Sequence, residues 1–406
     1  MDKRLSPARP QLIRAMNEQV MLDHIRRSGP VAQADLVRMS GLSKPTVRLA
    51  VANLERAGLI RAAGRRTGGR GPAAALHEVR PEAGYVLGLD VGRQFIRGAI
   101  VDVNAHDLAR DSVSVKAANG LSLAGEVIAL ADALLAAARL KRTQLTQTVI
   151  GSPGIYDLRR DALRLAGGLP GWESPTVLAR LRSAFGDDVM IENDVDVAAY
   201  AEHAHGHGRD VDNFAFISVG TGIGMGLILG GELHRGVHGA AGEIGFLPFS
   251  GGGGGDAADA RKRGHLEATA SAAAVVRAAK RAKIRGATSA RKVFEAAAAG
   301  DERAGAIVAD EAALVAKAVC TVVTVIDPEL VVLGGGIGQA PGLVDVVVRE
   351  LRALVPVRTP VKVSALGANA VVDGCLAVGL VRAWDVLTAA ITPAAESGPG
   401  SAQPAS

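Results

Sequence analysis

Several stretches of this 406-residue chain put acids or glycines where a small polar ligand could meet them. In IENDVDVAAYAE, Asn193 and Asp194 fall where an apolar strand gives way to a helix. A carboxylate at such a junction can accept a hydroxyl proton while the neighbouring amide orients the same hydroxyl; simple helix capping asks for the same residue types. ISVGTGIGMGLILGGELHRG joins two apolar runs through Gly220, Thr221, Gly222 and Gly224. That turn can aim backbone N–H groups and one hydroxyl at a phosphate, or serve as a sharp hairpin with no ligand. GLDVGRQFIRGAIV has a similar plan, a strand ending on Asp90 and then Gly92, but bulky Arg93 and Gln94 follow where a phosphate turn wants neither. Glu243 in HGAAGEIGFLPF and Glu267 in RGHLEATAS stand amid small residues, as acceptors for hydroxyl groups or as ordinary surface acids. IDPELVVLGGGIGQA runs a strand into Gly334, Gly335 and Gly336, which leaves room for a flat ring against the backbone or merely turns the chain. His203, His205 and His207 sit where a helix frays into a glycine loop with no acid pair beside them, a poor start for a metal site.

The elements that must hold these residues follow from residue 84 onward, where short Val/Ile/Leu runs punctuated by glycine alternate with Ala-rich helical stretches. That alternation predicts an α/β fold. Strands are expected near 85–91, 96–103, 147–151, 188–191, 214–219, 224–229, 330–334 and 361–364. Helices are expected near 120–140, 174–185, 194–204, 267–281, 302–326 and 341–353. The two glycine turns, near residues 92 and 222, suggest two related lobes. With aromatics at only 3% and hydrophobic residues at 48%, the cores must be built from Ala, Val, Leu and Ile. The two cysteines, Cys320 and Cys375, lie in apolar runs and are too few for a disulfide framework, which predicts buried thiols in a reducing, cytoplasmic setting. No run reaches about 18 apolar residues without a charge or a glycine cluster, and MDKRLSPARP has no apolar signal core, so no membrane span or leader is expected.

The first 80 residues read differently. They hold fifteen Lys/Arg against six Asp/Glu, a net +9, in a chain of net +5, so the remainder is mildly acidic. A helix is expected over 11–27, with Ile13, Met16, Val20, Met21 and Ile25 as its apolar stripe; a short helix follows over 33–39. After the SGLS turn, Ser43 is placed to cap a helix running to about Arg56, with Pro45 in its first turn. Val47, Val51 and Leu54 give that helix one buried stripe and leave Lys44, Thr46 and Arg48 outward. Two short strands around a Gly/Arg tip complete a winged helix-turn-helix layout. Ser43, Lys44, Thr46 and Arg48 could reach base edges or phosphates, and Arg65, Arg66 and Arg70 on the tip could enter a minor groove. The tail after residue 391 is too poor in large apolar residues to order itself.

In this order the motifs resemble the ROK family (repressors, open reading frames and kinases of sugar metabolism), specifically its long members with a winged helix ahead of a sugar-kinase-like body. The resemblance rests on GLSKPTVRLAVANLERAGLI, GLDVG, SPG, LPGW, END, VGTGIG, AGEIG, HLEATAS and DPELVVLGGG, from about residue 11 to 388. It implies an actin/hexokinase-like (ribonuclease H-like) fold of two lobes with a cleft between. The expected division is 1–80 for DNA binding, 81–195 for the first lobe completed by 375–390, 196–374 for the second, and 391–406 for the tail. Carried over by motif, Asp194 matches the catalytic base; Gly154, Asn193, Glu243 and Glu267 match sugar-binding positions; Gly220, Thr221 and Gly222 match the second phosphate loop. The implied partners are operator DNA, a small carbohydrate effector and further copies of the chain, as homodimer or homotetramer. Two departures stand out. The kinases' Asp-x-Gly-Gly-Thr is here Asp90, Val91, Gly92, Arg93, Gln94, which makes the first loop a remnant and argues against kinase turnover, with an active sugar kinase as the alternative. The family's zinc positions are Phe246, Ala258, Ala260 and His265, so no zinc of that type and no other cofactor is expected, and Phe246 also removes a sugar-touching His. Asp256, Asp259 and His265 could form a substitute oxygen/nitrogen site.

Overall fold

The computed structural model describes residues 10–67, 74–157, 160–166, 169–249, 260–261, 263–389 and 391. Arg70, Asp256, Ala258, Asp259, the five glycines 251–255 and the tail beyond 391 lie outside them.

The amino-terminal module packs three helices, α1 (Pro10–Ser28), α2 (Gln33–Ser40) and α3 (Lys44–Arg56), on a three-stranded sheet. That sheet orders β1 (Val31–Ala32), β3 (Ala74–Val79) and β2 (Ile60–Arg66). Ser43 caps α3 by accepting the Thr46 N–H, and Pro45 occupies the first turn, where no partner for an N–H is lost. Gly41 ends α2 in the left-handed region, φ 70°, which turns the chain sharply into α3. The stripe expected on α1 is half right. Met21 and Ile25 are buried, but Ile13, Met16 and Val20 face outward at 49%, 58% and 40% exposure. The helix instead buries Ala15, Glu18 and Leu22 beside them, because Glu18 accepts a hydrogen bond from Asn53 on α3 and draws that face inward. Leu12, Ile13, Met16 and Val20 thus form an apolar strip on the surface.

Beyond it stand two five-stranded sheets of one topology. The first runs β6 (Asp107–Ser114), β5 (Phe95–Asp102), β4 (Tyr85–Val91), β7 (Leu145–Ser152), β10 (Met190–Asn193). Two further short strands, β8 (Ile155–Asp157) and β9 (Ala162–Arg164), pair beside it. The second runs β13 (Glu232–Leu233), β12 (Ile223–Leu229), β11 (Phe214–Val219), β14 (Leu330–Gly334), β15 (Val361–Val363). In each, the first three strands pair antiparallel as a meander and the last two add in parallel on the other side. A repeated 3-2-1-4-5 order is the two-lobed architecture that the sequence led us to expect. It also makes the β4–β5 and β11–β12 turns equivalent positions of the two lobes.

Each sheet is faced by helices. α4 (Gly120–Ala138) and α5 (Pro175–Phe185) cover the first, and the Glu302–Ile326 and Leu343–Leu354 helices serve the second. By length and mean hydropathy, 1.8, α4 could cross a membrane. It buries Leu123, Val127, Leu130, Leu134 and Leu135 in the core shared with β4 and β5, so it is a core helix. The helix expected over 267–281 is broken into His265–Ala270 and Ala272–Arg281 by extended backbone at the buried Ser271. Cys375 is buried as expected, whereas Cys320 is only half-buried.

Two helices tie the lobes together. α6 (Asp194–His205) packs on β12 of the second lobe, and Glu202 near its end accepts hydrogen bonds from the Ser364 hydroxyl and the Ala365 N–H at 2.6 and 2.9 Å. The Ala370–Ala389 helix lies on β4 and β7 of the first lobe. The two cross at Gly374, where a Cβ would stand 1.8 Å from the Val197 carbonyl oxygen. Farther along, Trp384 leaves the lobe to join Val103 in the core of the amino-terminal module, with Met21, Leu22 and Ile25, and the Arg26 guanidinium lies 5.2 Å over its ring. A cavity of about 440 Å³ opens at this joint beside Arg26, Pro30, His106 and Trp384. Trp384→Ala is expected to lower the stability of the full chain by about 3 kcal/mol or more. Denaturant unfolding checks this; an unchanged midpoint would mean that the ring does not hold the module in place.

Candidate functional site

The candidate site gathers Arg93 from the β4–β5 turn, Asp194 at the start of α6, Glu243 and Glu267, which feel one another's charges. Asn193 is the N-cap of α6: its Oδ1 accepts the N–H groups of Val195 and Asp196 at 2.9 and 3.0 Å, and its Nδ2 donates to the Gly154 carbonyl at 2.9 Å. The capping use is therefore realised, and it also fixes the loop at Gly154. Gly154 itself has φ 88°, and a Cβ there would lie 2.4 Å from the Arg164 carbonyl oxygen, so the loop needs glycine for backbone reasons. Nearby, Trp172 is fully buried and its indole N–H donates to the Ser152 hydroxyl at 2.7 Å.

Asp194 opens α6, with one oxygen accepting the Val195 N–H at 2.9 Å. Burial pushes its carboxyl up to about 6, and the charge of Glu267 adds to this while Arg93 opposes it. Asp90, at the end of β4, is nearly buried and accepts from Arg97 at 3.0 Å. Burial, reinforced by Asp194, raises it to about 7 against the pull of Arg97. Glu243 is raised to about 7 by burial, then by Asp194 and Glu267. It is preceded by Gly242, φ 92°, which no other residue could replace, since a Cβ would meet the Met225 carbonyl oxygen at 1.8 Å.

The sequence reading missed part of this cluster. Asp196 is buried and raised to about 7 by burial and by Glu192, and Glu192 in turn pairs with Arg235 at 2.9 Å. Asp196 stands two residues after Asp194, a spacing that does not share a helix face, so periodicity gave no signal for it; the Arg235 partner, 43 residues away from Glu192, had no local signal either. Burial first, and then one another's charge, raises these carboxyls, and they form a cluster of acceptors that a ligand with many hydroxyl groups could meet.

The phosphate-loop positions are less free. In the β4–β5 turn, the Gly92 N–H donates to the Phe95 carbonyl at 3.0 Å, so Arg93 and Gln94 form a tight tip with no added glycine to open it. Arg93 is half-buried and feels Glu267 and Asp194 as attracting charges and Arg263 as a repelling one, so it stands beside the candidate acids. In the β11–β12 turn, the Gly220 N–H is taken by the Gly222 carbonyl at 2.9 Å and the Ile223 N–H by Glu267 at 3.1 Å. Thr221 remains exposed. Gly335, φ 76°, just after β14, sits against Val219, where a Cβ would come 2.4 Å from the carbonyl oxygen, so the turn leaving β14 needs glycine to close on β11.

The four residues at the family's zinc positions do not fit zinc. Phe246 is exposed at 45% and Ala260 is buried; neither offers a donor, and Ala258 has none by type, which leaves His265 alone. Among the described residues no group of three His, Cys, Asp or Glu is placed to hold a metal ion. His203 is engaged with the Gly208 carbonyl at 3.1 Å and packs on Phe214, and the His207 N–H donates to Glu202.

In the amino-terminal module, Lys44 and Arg48 are exposed on α3. The Ser43 and Thr46 hydroxyls bond each other at 2.8 Å. Arg65 and Arg66 are both exposed on β2, and Arg66 also pairs with Asp35 at 2.7 Å, the same carboxylate that holds Arg38. Arg70 lies outside the described residues.

The ROK family model matches residues 86–380, which is most of the chain. The chain belongs to the ROK family. The MarR family model matches residues 20–71, the winged-helix part. A ROK family transcriptional regulator described as a homolog of the E. coli MLC protein shares the fold over 94% of this chain and 99% of its own, with TM-score 0.72 and 23% identity. The ROK hexokinase from Thermus thermophilus is 30% identical, with TM-score 0.61, over 74% of this chain and 99% of its own. The xylose repressor of Bacillus subtilis is 24% identical over 58% of this chain and 61% of its own length. Against other curated relatives the match spans about half of their length, 50% and 42%.

Asp90, Asp194, Asp196 and Glu243 all keep their protons to higher pH in the folded chain than in the unfolded one, so the folded state binds more protons between about pH 4 and 7 and stability falls as pH rises through that window. Glu243→Gln removes one such group. The variant is expected to gain melting temperature relative to the parent at pH 8 and not at pH 4. Parallel melting curves at both pH values would refute a Glu243 carboxyl raised by burial and by its acidic neighbours.

Proposed function

We propose that the chain is a cytoplasmic transcription regulator, a repressor, that grips operator DNA through residues 1–80 as a homodimer or homotetramer and is tuned by a sugar or sugar derivative between its lobes. The observation that carries this is the outward face of α3, where Lys44 and Arg48 stand exposed with no ion pair among the described residues, in a module of net +9. Lys44, Arg48, Arg65, Arg66 and Arg70 supply the charge for the duplex; Ser43 and Thr46 shape the start of the helix. Asn193, Asp194, Glu243, Glu267 and the loop at Gly154 form the effector site, with the acids accepting hydroxyl protons and no zinc or other cofactor required. A change in lobe closure would pass through the α6 crossing to the Trp384 joint and alter the spacing of two recognition helices, which must meet half-sites about 34–36 Å apart. The Bacillus subtilis relative, a xylose repressor by name, supports the same reading.

The second reading, an ATP-dependent sugar kinase, is favoured by Asp194, a carboxyl near 6 at the base position, and by the hexokinase relative. Against it stand the Arg93–Gln94 tip, which withholds the close backbone approach and the hydroxyl of the kinase loop, and the Ile223 N–H already held by Glu267. Losing two charge-assisted hydrogen bonds at about 1.5–3 kcal/mol each lowers nucleotide affinity or turnover by about 10² to 10⁴.

Arg48→Ala is expected to weaken binding to a footprinted operator by about 1–3 kcal/mol, and equal affinity by gel shift would remove Arg48 from the interface. In a coupled assay over a hexose panel the chain should turn over well below about 1 per second; brisk phosphorylation would establish the kinase instead. Arg93→Gly combined with Gln94→Thr should raise ATP affinity about tenfold or more by calorimetry, and no gain would show that the first loop is not what limits the nucleotide.

A further inference from the structure

The outward face of α3 carries two ridges side by side. Lys44 and Arg48, four residues apart, make a cationic one, and Pro45 and Leu49, also four apart, make an apolar one. Leu49 is 47% exposed and Pro45 is exposed beside it, while the helix meets the needs of its core with Val47, Ala50, Val51 and Leu54 on the opposite side. Packing therefore gives no reason for a leucine at 49. The polar side chains of the helix are engaged elsewhere: Ser43 and Thr46 pair with each other at its start, and Asn53 near its end serves Glu18 and Arg56. The one acid of the helix, Glu55, is bound to His77 at 3.0 Å. What remains free to meet a partner is two cations and two hydrocarbons, with no unpaired acid to repel a polyanion.

A helix lying in the major groove offers an apolar side chain one complementary group, the C5 methyl of thymine, while cations beside it reach guanine edges or phosphates. We propose that Pro45 and Leu49 read thymine methyl groups in the operator, next to the base or phosphate held by Arg48. This rests on the DNA-binding reading above and deepens it by naming a feature of the sequence read. Charge complementarity selects DNA over a protein partner here, because the apolar ridge is bordered along its length by the cationic one.

The test uses the full chain. Duplexes retained from a random pool at modest salt give the preferred half-site; each of its thymines is then replaced in turn by deoxyuridine, which keeps every hydrogen-bonding group and removes only the methyl. At one or two positions the parent chain should lose about fourfold in affinity, the worth of one buried methyl. Leu49→Ala should lose less than about twofold at one or more of these positions, the one that Leu49 reads, while Arg48→Ala, though weaker overall, keeps the full methyl effect. Equal losses for the parent and Leu49→Ala, or a selected half-site indifferent to uridine throughout, would overturn the inference and leave DNA binding standing. Retention of no duplex at all would overturn both. Because Leu49 is exposed, Leu49→Ala should melt with the parent, and the uridine series on the parent chain stands even if it does not.

Discussion

The contact on which the molecule depends most is the crossing of α6 with the Ala370–Ala389 helix. With Gly374 pressed on the Val197 carbonyl, the two backbones come closer than any side chain would permit. One helix starts at Asp194 and is bound by Glu202 to the second lobe; the other lies on the first lobe and ends in the core of the amino-terminal module. The acid recess, the relation of the lobes and the seat of the winged helix therefore meet at a single close approach. Packed helices of this kind move by small sliding steps rather than by bending, which suits a crossing that must pass a change without dissolving.

The recess itself is shaped by a conflict. Capping, lobe closure and strand pairing bring Asp90, Asp194, Asp196 and Glu243 together, and burial in company raises each of them. Arginines answer only part of this charge: Arg97 takes Asp90, Arg235 takes Glu192, and Arg93 stands in front of Asp194 and Glu267. In place of the glycine and threonine that would open the first loop, this chain has put a cation at the mouth of an acidic site. The same substitution that costs the phosphate geometry thus relieves some of the crowding.

Much of this was legible because the signals are local. β4, β11 and β14 are short apolar runs between glycine turns, and their bounds read directly from sequence; Ser43 and Pro45 announced α3 by the chemistry of its first turn. β6 was not legible, since an edge strand exposed along its length carries Asp107, Arg110 and Asp111 where a core strand carries valine. On α1 two apolar stripes compete, and only the Glu18–Asn53 contact decides which turns inward. The break at Ser271 is hidden by helical periodicity that continues across it. Asn193, Asp194, Glu243 and Glu267 could be named because each sits in a compact motif, whereas the Arg66–Asp35 and Arg235–Glu192 pairs join residues far apart in sequence.

Trp384 and Val103 belong to the body by chain order but complete the hydrophobic interior of the winged helix. A cut near residue 80 would strip that interior of two of its members and bare it to water, beside an already apolar strip on α1. The head is thus not a transplantable cassette: a chimera that moves it onto another family member's body must bring along the β5–β6 turn and the end of the final helix, or inherit a poorly seated, adhesive graft.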